Sequence, residues 1–156
     1  MSERLKYLGT SIVLQEVPDE ISLAISISGC PYKCDGCHSK YLWEYKGRYL
    51  TDDLADILNE YLGLVSCICI MGGDQNIKEL TECINAIHSE GYKCCLYLGC
   101  DIIPQNIPIV EYLKIGHYDK HLGGLDKPNT NQRMYKYNGT EYIDITNRFK
   151  KGEQLC

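Results

Sequence analysis

Three cysteines within eight residues are the clearest chemical feature of the sequence. Cys30, Cys34 and Cys37 are spaced CxxxCxxC and follow an alternating apolar run directly. Three thiolates on one short loop can bind one metal centre without long excursions of the backbone. A cubane iron–sulfur cluster that only carries electrons is normally held by four cysteines, so three cysteines leave one iron free to bind a small molecule. The spacing therefore predicts a metal centre with an open coordination position.

A structural zinc site is the alternative for the same loop. Such sites use four protein ligands, and His38 beside Cys37 could supply the fourth. A zinc site of this size usually brings a second CxxC pair. The nearest candidates for that pair, by contrast, fall inside predicted strands: Cys67, Cys69, Cys94 and Cys95. The pattern favours the cluster and leaves zinc as the second interpretation.

A glycine pair marks a second candidate site. Gly72, Gly73 and Asp74 stand where a continuous apolar run ends and a helical pattern is about to begin. In open α/β sheets ligands bind at the carboxyl ends of strands, and glycines let the backbone approach a ligand closely. A tight turn capped by Asp74 would use the same residues. Because the segment comes one strand–helix unit after the cysteine loop, we expect it to bind a ligand beside the metal centre.

Length and charge limit the class of protein. With 156 residues the chain is expected to form one domain over residues 1–156. A net charge of -5 and the lack of a basic run argue against a nucleic acid partner. No apolar run is long enough to span a bilayer, and the first residues lack the apolar core of a secretory leader. We therefore expect a cytoplasmic protein without membrane contact, whose ten cysteines are thiols or metal ligands rather than disulfides.

Apolar periodicity predicts alternating strands and helices. Strands are predicted at 5–14, 21–28, 64–71, 92–98 and 114–118. One helix is predicted after Thr51 as its N-cap, a second at 76–90, and at most a short helix at 108–113. Asn138-Gly139 predicts a hairpin at 134–145. Repeated β-α units indicate an α/β fold with a mostly parallel sheet, too small for a closed barrel of about 250 residues.

The cysteine loop resembles that of the radical S-adenosylmethionine (SAM) superfamily, whose pattern Cys30, Cys34 and Cys37 match residue for residue. The resemblance implies an α/β fold, an open partial (βα) barrel of the radical SAM type with a C-terminal β-hairpin. It also implies a [4Fe-4S] cluster on the three cysteines, with SAM bound at the free iron. The cofactor would supply the radical chemistry, and no catalytic residue is implied beyond the cluster ligands.

The same resemblance assigns residues to SAM. Gly72, Gly73 and Asp74 resemble the Gly-Gly-Glu type of motif that contacts the methionine amino group. Residues 36–38, namely Gly36, Cys37 and His38, are also assigned to the cofactor. Many relatives carry an aromatic residue where this chain has Gly36, so the adenine contact must come from backbone or from another segment. His38 could equally be a surface histidine of the loop.

Four segments are similar to the anaerobic ribonucleoside-triphosphate reductase-activating proteins, kin of the pyruvate formate-lyase activases: residues 15–23, 29–38, 71–74 and 130–135. This likeness implies that a hydrogen atom is abstracted from a glycine of the large glycyl radical subunit of that reductase. It also implies an electron donor such as flavodoxin or ferredoxin.

Two alternatives stay open. One is radical SAM chemistry on another glycyl radical enzyme or a small molecule, and the other is a non-enzymatic iron–sulfur or zinc module.

Overall fold

A mixed sheet of eight strands organises the computed structural model, which describes residues 3–37 and 39–149. The strands are β1 (Lys6–Val13), β2 (Ser22–Ile27), β3 (Arg48–Tyr49), β4 (Cys67–Met71), β5 (Lys93–Tyr97), β6 (Tyr112–Ile115), β7 (Arg133–Tyr137) and β8 (Tyr142–Asp144). The helices are α1 (Leu50–Glu60) and α2 (Ile77–Ser89), and short 3-10 turns span Lys40–Leu42 and Thr146–Phe149. Across the sheet the order is β3-β1-β2-β4-β5-β6-β7-β8.

The centre of the sheet is parallel and both flanks are antiparallel. Strands β2, β4, β5 and β6 are parallel neighbours. On one flank β1 pairs antiparallel with β2 and β3, and on the other β7 pairs antiparallel with β6 and β8. The hairpin of β7 and β8 turns at Asn138-Gly139, where Gly139 has a φ of 99°. The four parallel strands therefore direct their carboxyl ends to one edge.

The predicted open partial (βα) barrel of the radical SAM type is wrong. Four of the seven strand pairings are antiparallel, so the sheet is not mostly parallel. The described residues form only two α-helices, and the connection from β5 to β6 contains neither. Pro104 and Pro108 lie in that connection, where they disfavour a helix interior. Tyr112–Ile115 is the buried strand β6, which overturns the short helix predicted at 108–113.

Both helices pack on the same face of the sheet. Parallel crossovers are almost always right-handed, and β2, β4 and β5 are added in one direction, so α1 and α2 cover one side. Their apolar residues join one core with the inward side chains of the parallel strands, among them Leu54, Ile57, Leu80, Ile84, Ile25, Ile68 and Leu96. The opposite face buries a smaller cluster under loops: Val17, Cys67, Cys69, Cys95, Tyr112 and Met134.

The helix N-termini differ from each other. The predicted N-cap at Thr51 is wrong, because α1 begins at Leu50 and its N-cap, Tyr49, makes no side-chain cap. Asn76 caps α2 by accepting a hydrogen bond from the Glu79 N–H at 3.1 Å. The buried Glu79 carboxylate accepts hydrogen bonds from the Leu5 N–H at 2.8 Å and the Thr51 hydroxyl at 3.2 Å. Glu79 thereby ties both helices to the segment that enters β1.

Most cysteines outside the loop are core residues, as the sequence predicts. Five of them are buried free thiols, Cys67, Cys69, Cys83, Cys94 and Cys95, whereas Cys100 is only half-buried. Cys156 lies outside the described residues. Among the described residues, no helix has both the length and the apolar character needed to cross a membrane.

A buried carboxylate joins the amino ends of three parallel strands. Glu20, whose side chain is 4% exposed, accepts hydrogen bonds from Ser66 Oγ at 2.6 Å, Lys93 Nζ at 2.9 Å and Tyr112 Oη at 2.9 Å. These donors begin or precede β4, β5 and β6 respectively. Burial raises the pKa of Glu20, but the three hydrogen bonds together outweigh it and lower the pKa below 4.5. Glu20 is therefore stabilised in its ionised form.

Replacing Glu20 by Gln should lower the free energy of unfolding at pH 7 by about 2–3 kcal/mol, since hydrogen bonds to a charged group are lost. Because the pKa of Glu20 is lowered in the fold, its contribution is present above pH 4.5 and is lost as the pH falls through the folded pKa. Urea unfolding at pH 7 and at pH 4 measures this, with the exposed Glu141→Gln as control. Equal losses at both pH values for Glu20→Gln would contradict the assignment.

Candidate functional site

Four loops meet at the carboxyl edge of the parallel strands. The cysteine loop follows β2, Gly72-Gly73-Asp74 follows β4, Gly99 and Cys100 follow β5, and Gly116 and His117 follow β6. Ligands of open α/β sheets bind at this edge. The loops are adjacent because the strands that carry them are consecutive in the sheet.

A cavity of about 180 Å³ lies between these loops. It brings together five of the predicted site residues: Cys30, Cys34, Cys37, Gly72 and Asp74. Gly36 and Gly73 do not line this cavity, and His38 lies outside the described residues. Other lining residues, which the sequence did not assign to the site, include Tyr32, Gln75, Gly99, Lys114 and Gln132.

The cysteine loop is held from behind by the chain that follows it. The Leu42 carbonyl accepts hydrogen bonds from the N–H groups of Gly29 at 2.7 Å and Cys30 at 3.0 Å. Gly29 has a φ of 77°, and a side chain there would approach the Tyr45 ring at 3.2 Å, which explains the glycine. Trp43 follows Leu42 and is half-buried. The three loop cysteines are free and half-buried, so their thiols are available to a ligand.

The glycine pair has a structural reason of its own. Gly72 and Gly73 have φ values of 110° and 106°, a conformation that costs other residues about 1–3 kcal/mol. A Cβ at Gly72 would meet Ile27 Cβ at 3.1 Å, and a Cβ at Gly73 would meet Leu80 Cδ1 at 3.0 Å. The tight turn therefore requires both glycines whether or not a ligand binds. Of the two, only Gly72 borders the cavity.

Asp74 presents a partly desolvated carboxylate to the cavity. Burial raises the pKa of Asp74, while hydrogen bonds from the Tyr32 hydroxyl and from backbone at Asp74, Cys100 and Gly99 oppose that rise. The Tyr32 hydroxyl donates to Asp74 Oδ2 at 3.0 Å. Burial, reinforced by Asp74, also raises the pKa of the neighbouring Cys100 thiol to about 11, so that thiol is neutral at pH 7.

Residues paired in register across the sheet form the floor of the cavity. Met71 pairs with Tyr97, and Tyr97 pairs with Lys114. The Lys114 ammonium lies 4.8 Å from the centre of the Tyr97 ring. Burial lowers the pKa of Lys114, and the nearby thiols oppose that effect: Cys69, Cys95, Cys37 and Cys34. Within the described part of the chain no carboxylate forms an ion pair with Lys114.

The segment at 130–135 supports the wall of the cavity. Gln132 is 5% exposed, lines the cavity and donates from Nε2 to the Gly116 carbonyl at 3.3 Å. Asn131 donates from Nδ2 to the His117 carbonyl at 3.1 Å. Both side chains brace the loop after β6. The resemblance of this segment was the only sequence signal for Gln132, and it did not indicate a place in the site.

A second cavity of about 430 Å³ adjoins the first. Tyr32, Cys34, His117 and Tyr118 line both cavities. The second is bordered by the cysteine loop and by residues 117–121, which are joined by an ion pair of Lys120 Nζ and Asp35 Oδ2 at 2.7 Å. A Cβ at Gly36 would approach Lys120 Cβ at 3.1 Å. Gly36 therefore lets the cysteine loop pack closely against that segment.

The arrangement of the donor side chains bears on which metal centre the cysteine loop could hold. Among residues 3–37 and 39–149, no three Cys, His, Asp or Glu side chains are grouped so as to hold a single metal ion. The ligands of a zinc ion must converge on one point, whereas in a cubane cluster each cysteine binds a different iron. The arrangement disfavours a zinc site built from the described residues alone. A zinc site that includes His38 falls partly outside them.

Comparisons with known proteins found no match to this chain among protein-family models, curated proteins or solved structures.

Proposed function

We propose that this chain is a radical SAM activase that generates the glycyl radical of an anaerobic ribonucleoside-triphosphate reductase. The observation that carries the proposal is the 180 Å³ cavity lined by Cys30, Cys34 and Cys37 together with Gly72 and Asp74. The sequence motifs lie more than 30 residues apart, and they need not have met. Their position around one cavity supports a shared ligand.

Cys30, Cys34 and Cys37 would hold a [4Fe-4S] cluster. Their thiols are free, they lie on one loop, and all three line the same cavity. When such a cluster is bound and reduced, it supplies the electron that splits SAM into methionine and a 5'-deoxyadenosyl radical.

The cavity offers charges that suit the amino acid part of SAM. The Asp74 carboxylate would accept hydrogen bonds from the methionine ammonium, and Lys114 would attract the methionine carboxylate. Lys114 has no ion-pair partner among the described residues, so a bound carboxylate would offset part of the cost of burying its charge. Gly72 and Gly99 border the same cavity, so their backbone also faces the ligand.

The protein itself contributes binding and orientation of the reactants. A radical formed from SAM would take one hydrogen atom from the α carbon of a glycine, which would yield 5'-deoxyadenosine and leave the radical on the glycine. No protein acid or base is needed, since a whole hydrogen atom moves. Cys34 also borders the larger cavity, where a glycine of the partner reductase could approach. An electron donor such as flavodoxin or ferredoxin would supply the electron.

Cys34→Ala should abolish SAM cleavage, because one cluster ligand is lost. After anaerobic reconstitution with iron and sulfide and reduction with dithionite, we expect 5'-deoxyadenosine from the unaltered chain and at least a hundredfold less from Cys34→Ala. Cys83→Ala is the matched control, since that thiol is buried beneath α2. Chromatography measures the nucleoside and elemental analysis the metal. About one zinc per chain with no 5'-deoxyadenosine would refute the proposal.

Lys114→Met should weaken SAM binding by about tenfold or more, because a buried cation that pairs with the ligand carboxylate is lost while the side-chain volume is kept. Lys136→Met is the control. Lys136 lies on the adjacent strand, also above a tyrosine ring, but it is exposed and does not line the cavity. Equilibrium dialysis of the reconstituted protein under anaerobic conditions measures both variants. Equal affinities for the two variants would remove Lys114 from the site.

Incubation of the reduced protein and SAM with the large subunit of the reductase should produce a glycyl radical doublet in the electron paramagnetic resonance spectrum. The amount of glycyl radical should match the amount of 5'-deoxyadenosine formed, since each hydrogen abstraction yields one glycyl radical and one 5'-deoxyadenosine. A reductase variant with the radical glycine replaced by alanine is the control and should give no doublet. Release of 5'-deoxyadenosine without a doublet on this reductase would favour another glycyl radical enzyme or a small-molecule substrate.

A further inference from the structure

Tyr32 lies between the two cavities. It stands in the cysteine loop between Cys30 and Cys34 and lines both the 180 Å³ and the 430 Å³ cavity. Its ring lies so close to Gly99 that a Cβ at Gly99 would come within 2.6 Å of Tyr32 Cδ2. Its hydroxyl crosses to the glycine-pair turn and donates to Asp74 Oδ2 at 3.0 Å. A single side chain thus connects the loop after β2 with the loops after β4 and β5.

The smaller cavity does not have room for a nucleoside-sized ligand in this arrangement. Pockets for such ligands measure roughly 300–1,000 Å³, whereas the cavity beside the three cysteines measures about 180 Å³. The adjoining cavity of about 430 Å³ supplies the missing volume. Tyr32 is 39% exposed, so its ring can turn outward without leaving a hole in the core.

The hydrogen bond of Tyr32 also occupies the carboxylate that a ligand would need. Asp74 is the acidic side chain of the glycine-pair turn that lines the cavity. A neutral phenol is a weaker donor to a carboxylate than an ammonium group is. A ligand with an amino group can therefore replace the phenol at Asp74, whereas a ligand without one would leave the carboxylate without a strong donor.

We propose that Tyr32 is a latch, whose hydroxyl holds Asp74 until a ligand ammonium displaces it and whose ring then turns away to join the two cavities into one binding site. This inference rests on the proposed function for the identity of the ligand, SAM. Every ligand must break the Tyr32–Asp74 hydrogen bond, but an amine regains a stronger one. The latch thus lowers the affinity for every ligand by the cost of that bond, and it is Asp74 that favours ligands with an amine.

The test is SAM binding by Tyr32→Phe, measured by equilibrium dialysis of the reconstituted protein without reductant, so that no turnover occurs. The Phe ring keeps the contact with Gly99 but cannot hold Asp74, and SAM no longer has to break that bond. We expect about fivefold tighter binding, the equivalent of one hydrogen bond of ordinary net strength. In an Asp74→Ala background, the same Tyr32→Phe change should have no effect, since the bond is already absent.

Tyr7→Phe is the matched control. The Tyr7 hydroxyl donates to Asp53 Oδ2 at 2.7 Å, the same pairing of phenol and carboxylate, but neither residue lines the cavities. Its SAM affinity should equal that of the unaltered chain. Unchanged or weaker binding by Tyr32→Phe, with normal binding by Tyr7→Phe, would overturn the latch and leave the proposed function intact. No SAM binding by the unaltered chain or any variant would overturn both.

Discussion

The in-register pairing of β2, β4, β5 and β6 is the constraint on which the site depends. Parallel strands end at the same edge, so each of the four connections must begin within a strand spacing of the next. The cysteine loop, the glycine-pair turn and the loops at Gly99 and Gly116 are neighbours for that reason. Glu20 supports the same strands from their opposite ends, through Ser66, Lys93 and Tyr112. The same strands therefore stabilise the fold and position the loops of the site.

The electrostatics of the cavity follow from this geometry. Asp74, in the turn after β4, and Lys114, on β6, carry opposite charges, but they do not pair with each other. Burial works against both charges, since it raises the pKa of Asp74 and lowers that of Lys114. Asp74 is compensated by backbone and by Tyr32, whereas Lys114 has an aromatic ring and thiols around it. A zwitterionic ligand that brings an amine and a carboxylate would complement both.

Local patterns predicted the individual elements better than their arrangement. The alternation at 21–28, the apolar run at 64–71 and the period of 76–90 each correspond to an observed strand or helix. The predicted arrangement is wrong where the structure of a segment depends on which strand it pairs with. The strand predicted at 114–118 covers only Lys114 and Ile115 of β6, and strand direction at the flanks depends on long-range contacts. The barrel expected from the resemblance therefore became a mixed sheet with antiparallel flanks.

The site was partly predictable for a related reason. Cys30, Cys34, Cys37, Gly72 and Asp74 are recognisable by type and spacing, and all five line one cavity. Tyr32 and Gln132 lack such a signal, because a tyrosine or a glutamine is common on any surface, whereas Lys114 is marked only by its place at the end of a predicted strand. Their place in the cavity comes from register and from contacts across the sheet, such as the pairing of Lys114 with Tyr97. Without the structure, no pattern connects Tyr32 to Asp74.

The proposed chemistry does not require the barrel that the structure excludes. What it requires is a short loop with three free cysteines, an acceptor for an amine, a cation for a carboxylate, and backbone that allows close approach. All four are found in neighbouring loops and strand ends at one sheet edge, and four parallel strands are enough to supply them. The antiparallel flanks add strands to the sheet on both sides of that edge without changing it. The proposed chemistry therefore depends on the carboxyl edge of the four parallel strands. It does not depend on how the remaining strands are arranged.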